Sequence, residues 1–296
     1  MELEHNNSII IPPKSQVKKS YGPFYSSQNT YNEINVGPES NFTGSYTFAG
    51  VQSEKITINP RCNIAGFGVF SRGCCREVEI HSDTNITGPY SFQYCSYLER
   101  VQFHENCRIS GNHAFSCCGI SELHLGKGIK LFGTGTFYGC DRIEHLEIPD
   151  NALFDSIFTF TKCKNLKSVR FGNNVILYGH RIFSSCESLE AVYFGDNVSI
   201  YGEDNFNGCS NLSIIEHGAN FQNDDKSLRI FEKPFNRVRF EDIPNGVECS
   251  IRMEPFDEKS AVVQTTCGHY FNEECLSEWL TDKRTCPLCR KKLKRE

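Results

Sequence analysis

A chain of 296 residues, 39% of them hydrophobic, has enough apolar surface for one large or two modest domains. Its formal charge of -5 leaves no broad basic field, which excludes generic nucleic-acid binding and directs attention to protein partners. No run of about 18 apolar residues is present to span a membrane, and the opening MELEHNNSIIIPPKSQ has acids where a secretory leader needs bases; the expected setting is intracellular, the cytoplasm ahead of the nucleus.

Residues 1–40 form an N-terminal segment that carries only a faint form of the pattern that follows, and residues 24–42, with Phe24, Ile34, Val36 and Phe42, look like a degenerate first repeat that would act as a cap. From residue 41 to 222 the pattern is strong. Phenylalanines recur at 48, 70, 92, 115, 137, 160, 183 and 206, every 22 or 23 residues, which identifies a repeat array. Cysteine stands three residues after the anchor at Cys95, Cys118, Cys140, Cys163, Cys186 and Cys209. Apolar residues follow at fixed offsets, as in Leu166, Val169 and Phe171, and the last two alternate as in a half-buried strand. Glycines such as Gly126, Gly172 and Gly195 then supply the turn. Each repeat is therefore one short strand and a return segment. A single unit cannot bury its apolar face, so the units must stack, at about 4.8 Å between strands, into a solenoid.

The chain has 16 cysteines, and five N-x-Ser/Thr sequons at Asn6, Asn41, Asn85, Asn197 and Asn211 that would matter only after secretion. With no leader, the repeat cysteines are expected to be an inward column of reduced thiols, small and apolar, rather than disulfides or metal ligands, since no histidine shares their register. The recurring core F-x-x-C-x-x-L-x-x-V-x-F resembles the BspA-like leucine-rich repeat family. That resemblance implies a mostly β solenoid whose extended face binds a protein.

Residues 223–245 lose the period and are read as a linker. Residues 246–296 then bring CSIRMEPF, CGHYFNEEC and CPLC. Cys267-x-His269 and Cys286-x-x-Cys289 supply one imidazole and three thiolates, a complete tetrahedral set for zinc; the rival, a redox Cys-x-x-Cys, would not need the matching Cys-x-His.

The stretch closely resembles a RING finger, a small α+β cross-braced fold that in its usual form holds two zinc ions. Cys249, Cys267, His269, Cys275, Cys286 and Cys289 match six of its eight ligands. Arg252 and Asn272 stand at the other two, both in the first site, so Cys249 and Cys275 are remnants there and one zinc ion is expected. A guanidinium cannot ligate and a carboxamide is a poor donor. Asn272 also precedes an amphipathic run as a helix N-cap would, and Arg252 would then pair with a nearby carboxylate in place of the metal.

What the resemblance implies is a RING-type ubiquitin ligase. It would recruit a ubiquitin-conjugating enzyme through Ile251, Trp279 and Pro287 and use Arg290 as a linchpin between that enzyme and ubiquitin. It would promote transfer to an unknown protein substrate on the solenoid, with neither nucleic acid nor membrane as a partner. Two readings stand beside it: a non-catalytic adaptor with a one-zinc RING-like fold, and a SUMO ligase. A surface adhesin, suggested by the repeats alone, would need export that the opening residues do not encode.

Overall fold

The computed structural model describes residues 3–293 apart from 6, 23, 27, 28, 229–234, 245, 266 and 284. The chain divides into two compact units, Met1–Leu228 and Arg229–Glu296.

The first unit is a solenoid with two ladders of parallel strands. One ladder is a continuous ten-stranded sheet of two-residue strands, from Gln16–Val17 to Gln222–Asn223. The other consists of longer strands and comes in two pieces. Seven strands run from Leu3–His5 to Glu122–His124, and four run from His145–Ile148 to Ile214–His217. Alternation along each long strand explains the burial: in His145–Ile148, Leu146 and Ile148 point inward while His145 and Glu147 are exposed.

The anchor phenylalanines stack face to face through the interior, with neighbouring rings 4.7 to 5.5 Å apart. Beside them the cysteine column forms as the spacing requires. Each thiol points at the carbonyl of the anchor one repeat back: Cys118 Sγ to Phe92 O at 3.0 Å, Cys140 to Phe115 O at 3.3 Å and Cys186 to Phe160 O at 3.2 Å. All are free thiols. A second column, absent from the repeat motif as read, is glycine. A Cβ on Gly88 would lie 2.1 Å from the Gly66 carbonyl oxygen, and one on Gly202 1.5 Å from that of Gly179, so only glycine lets successive turns approach so closely.

Two boundaries differ from those read in the sequence. The solenoid begins well before residue 41. Ser8–Ile11 already pairs in parallel with Thr30–Val36, and Leu3–His5 folds back antiparallel on Ser8–Ile11. Phe24 is buried and stacked on Phe48, as the degenerate repeat requires. These first turns lack the Phe-x-x-Cys pair, which hid their register. The stretch 223–245 is not purely a linker either. Residues 223–228 stay with the solenoid, where Asp225 is buried and accepts the Asn205 N–H at 2.7 Å. Phe235–Val238 is a strand of the second unit, paired antiparallel with Val262–Thr265.

The second unit has a three-stranded sheet, in which Val262–Thr265 lies between Phe235–Val238 and Tyr270–Asn272. A two-stranded piece and the helix Glu273–Asp282 complete it. Its core comprises Phe235, Cys249, Val263, Phe271, Cys275, Leu276, Cys286 and Leu293.

Candidate metal centre

Cys267 and His269 sit in the turn between the strands Val262–Thr265 and Tyr270–Asn272, and the turn is fixed from inside. Thr265 N–H donates to the His269 carbonyl at 2.8 Å, and the Thr265 hydroxyl accepts the His269 N–H at 3.1 Å. Gly268, between the two ligands, has φ of +86°, a conformation that a side chain would strain. Cys286 and Cys289 lie on the Cys-Pro-Leu-Cys knuckle, closed by Cys286 N–H to Lys291 O and Arg290 N–H to Cys286 O, both 2.9 Å.

The hairpin and the knuckle bring four donor atoms together. Cys267 Sγ is 3.4 Å from His269 Nδ1 and 3.6 Å from Cys289 Sγ, and Cys286 Sγ is 3.6 Å from His269 Nδ1. All four donors lie within 4.8 Å of one another. Sulfur ligands at about 2.3 Å around a tetrahedral ion stand roughly 3.8 Å apart, so donors gathered at these separations suit zinc. Burial pushes the Cys286 thiol up to about 11, whereas the Lys291 N–H pulls Cys289 down.

Around the position of a RING's first zinc, this chain has Arg252 and Asn272 beside Cys249 and Cys275. Cys249 and Cys275 are buried, and Cys249 Sγ accepts the Asn272 N–H at 3.3 Å. Asn272 caps the helix through its side-chain oxygen, which accepts the Glu274 N–H at 3.1 Å. Arg252 pairs with Glu274 at 2.9 Å and also approaches the Cys275 sulfur, while burial pushes that thiol's pKa up. Arg252 and Asn272 thus tie the segment around Cys249 to the first turn of the helix Glu273–Asp282. Among the described residues, no group of three donors forms around Cys249 and Cys275.

Of the surface residues singled out by sequence, Ile251 is half-buried against the core of the unit and Arg290 is exposed, with φ of +59°. Trp279 is half-buried; its indole N–H donates to the Thr285 carbonyl at 2.8 Å, fastening the helix to the residue before the knuckle, and Lys283 lies 4.2 Å over its ring. Pro287 is half-buried, and beside it Leu288 is 56% exposed, an apolar knuckle residue that the sequence reading did not single out.

A second donor cluster lies on the solenoid, where His104 Nε2 is 3.0 Å and His81 Nε2 3.5 Å from Glu79 Oε1. Its geometry is poor for a metal. The two imidazoles stack in parallel planes 4.5 Å apart, so their in-plane lone pairs do not converge, and the Lys55 ammonium already sits 2.7 Å from the Glu79 carboxylate.

Fold and site thus define a stacked-repeat solenoid followed by a cross-braced zinc-binding module. The BspA type Leucine rich repeat region matches residues 19–144 and 130–233, and the chain belongs to that family. The Ring finger domain matches residues 247–290. Similar curated proteins include RING-H2 finger protein ATL30 of Arabidopsis thaliana, 38% identical over 63 residues, covering 20% of this chain and 22% of that protein. E3 ubiquitin-protein ligase RNF128 of Xenopus laevis is 38% identical over 47 residues, 16% of this chain and 12% of that one. The RNF181 homolog of Drosophila melanogaster, also named an E3 ubiquitin-protein ligase, is 38% identical over 64 residues, 22% of this chain and 44% of that one. The chain thus matches under half the length of each. Among solved structures, the leucine rich repeat protein of T. pallidum has a TM-score of 0.41 at 17% identity, covering 72% of this chain and 87% of that one.

Proposed function

We propose that this protein is a RING-type ubiquitin ligase in which the zinc module recruits a charged ubiquitin-conjugating enzyme and the solenoid presents a protein substrate, inside the cell. The observation that carries this reading is the intact second zinc site in a module similar to named E3 ligases. One zinc ion, on Cys267, His269, Cys286 and Cys289, would hold hairpin and knuckle in a fixed relation; its role is structural. The reaction is aminolysis of a ubiquitin thioester by a substrate lysine. The ligase needs no nucleophile, only to hold the reactants and restrict the thioester to a reactive orientation. Ile251, Trp279 and Pro287 offer apolar area for the conjugating enzyme, and Arg290, exposed beside the last ligand, has the donors to link that enzyme to ubiquitin.

The test is discharge of the thioester onto free lysine with a panel of conjugating enzymes. Ile251→Ala or Trp279→Ala should weaken partner binding by roughly 1 to 3 kcal/mol, a defect that saturating partner partly repairs. Arg290→Ala should leave binding nearly intact and slow discharge even at saturation. A second reading, a non-catalytic adaptor, is favoured by the replacement of the first zinc set by Arg252–Glu274 and the Asn272 cap. It takes over if the zinc-loaded chain speeds discharge from no member of the panel.

A further inference from the structure

The longer ladder of the solenoid is broken once. Glu122–His124 ends the seven-stranded sheet and His145–Ile148 begins the four-stranded one, and no backbone pairing joins them, whereas the opposite ladder passes the same point without a gap. One sequence feature accounts for the break. Pro149 occupies the post-strand position at which Gly172, Gly195 and Gly218 donate N–H groups to the preceding strand at 2.7 to 3.0 Å, and proline has none to give. Phe115 and Phe137 are 5.5 Å apart, close to the 5.4 Å of Phe160–Phe183 and Phe183–Phe206, so the interior stack continues past the break in the outer ladder.

The seam has free hydrogen-bonding edges. In a parallel strand alternate residues address opposite neighbours. The carbonyls of Glu144 and Ile148 accept from Ser168 and Gly172 of the following strand, so His145 and Glu147 turn their backbone groups to the gap. On the other bank Glu122 N–H donates back to Glu99, which leaves Leu123 and Leu125 facing the gap. The space between is a cleft of about 700 Å³, lined by both strands and reaching Arg170 and Phe171. Its acids are Glu122, Glu147 and Asp150. Glu122 is paired with Arg100, and the lining cation Arg170 lies 4.1 Å over the Tyr193 ring, but exposed Glu147 has no ion pair among the described residues.

We propose that this seam is a peptide-binding slot, in which an extended segment of a protein partner with basic side chains at alternate positions adds as a strand along the His145–Ile148 edge. The unpaired backbone groups of His145 and Glu147 require an extended chain, and the acidic rim selects lysine or arginine on its outward face. This inference depends on the ligase reading only for the identity of the partner as substrate. Peptide binding is measured on the full chain without ubiquitin components, so loss of transfer activity and loss of peptide binding are separate outcomes.

The probe is a fluorescent heptapeptide alternating valine and lysine, followed by anisotropy and by hydrogen exchange of the full-length protein. Saturable binding is expected, together with new amide protection at residues 145 and 147. N-methylation of alternate backbone nitrogens should weaken binding tenfold or more, as should exchanging the peptide lysines for glutamate. Glu147→Lys, a change at an exposed side chain that spares the fold, should weaken it several-fold. The proposal is overturned if the valine–lysine peptide does not saturate the protein, if N-methylation or Glu147→Lys leaves its affinity unchanged, or if protection appears elsewhere.

Discussion

The thiols of the solenoid owe their chemistry to their column. In the fold Cys140 is buried and desolvation pushes it up from an ordinary 9.0 to about 12; Cys209 of the same column is likewise raised to about 12, and burial raises Cys107, outside the column, to about 11. A folded-state pKa above the unfolded value means that the unfolded chain releases a proton which the native chain keeps. The stabilising contribution is therefore complete below about pH 9 and is lost as pH rises toward 12. Denaturant unfolding of the full chain between pH 8 and 11 should show stability falling with a slope that Cys140→Ala makes shallower. An unchanged slope in that variant would mean that the thiol does not carry the linkage. The same burial makes native Cys140, Cys163 and Cys186 slow to alkylate. The sequon asparagine Asn197 is also committed to the stack, donating to Asn174 at 3.1 Å and accepting from Asn220 at 2.9 Å.

At the level of elements, the parts of the fold legible in the sequence are those that repeat. Eight phenylalanines in period announce the stack and its strands, because every turn solves the same packing problem with the same side chains. What stayed hidden is what occurs once: the Leu3–His5 hairpin strand, the Phe235–Val238 strand that pairs across some 25 residues with Val262–Thr265, and the seam before His145. A non-local partner leaves no period behind. The four donors that spacing pairs, Cys267, His269, Cys286 and Cys289, are brought together by the fold, and Arg252 pairs with a carboxylate while Asn272 caps the helix, as their chemistry allows. This suggests a gain-of-site experiment. Arg252→Cys with Asn272→His would complete four donors with Cys249 and Cys275. Elemental analysis should rise from about one zinc per chain to about two, since thiolate and imidazole are competent where guanidinium and amide are not. A value that stays at one in the folded variant would show that the loop geometry, and not the donor chemistry, excludes the second ion.

For the whole molecule, the two units draw on different sources of stability. The solenoid buries a continuous core through eight stacked anchors and two ladders. The unit from Arg229 to Glu296 has only 68 residues, and among the described ones its core cluster comprises eight buried side chains, including Cys249 and Cys275 near the Arg252–Glu274 pair. A core of that size is marginal by itself, and zinc binding should supply much of its folding free energy. Chelation should therefore separate the units. With excess chelator, hydrogen exchange of Val263, Phe271 and Leu276 should become fast, while Val101, Leu146 and Val169 of the solenoid strands stay protected, and restoring zinc should reverse the change. His269→Ala should reproduce the chelated pattern without chelator. If Val263 and Leu276 remain protected in chain shown to be free of zinc, the apolar core and the Arg252–Glu274 pair suffice to fold the module, and the metal serves only to set the knuckle.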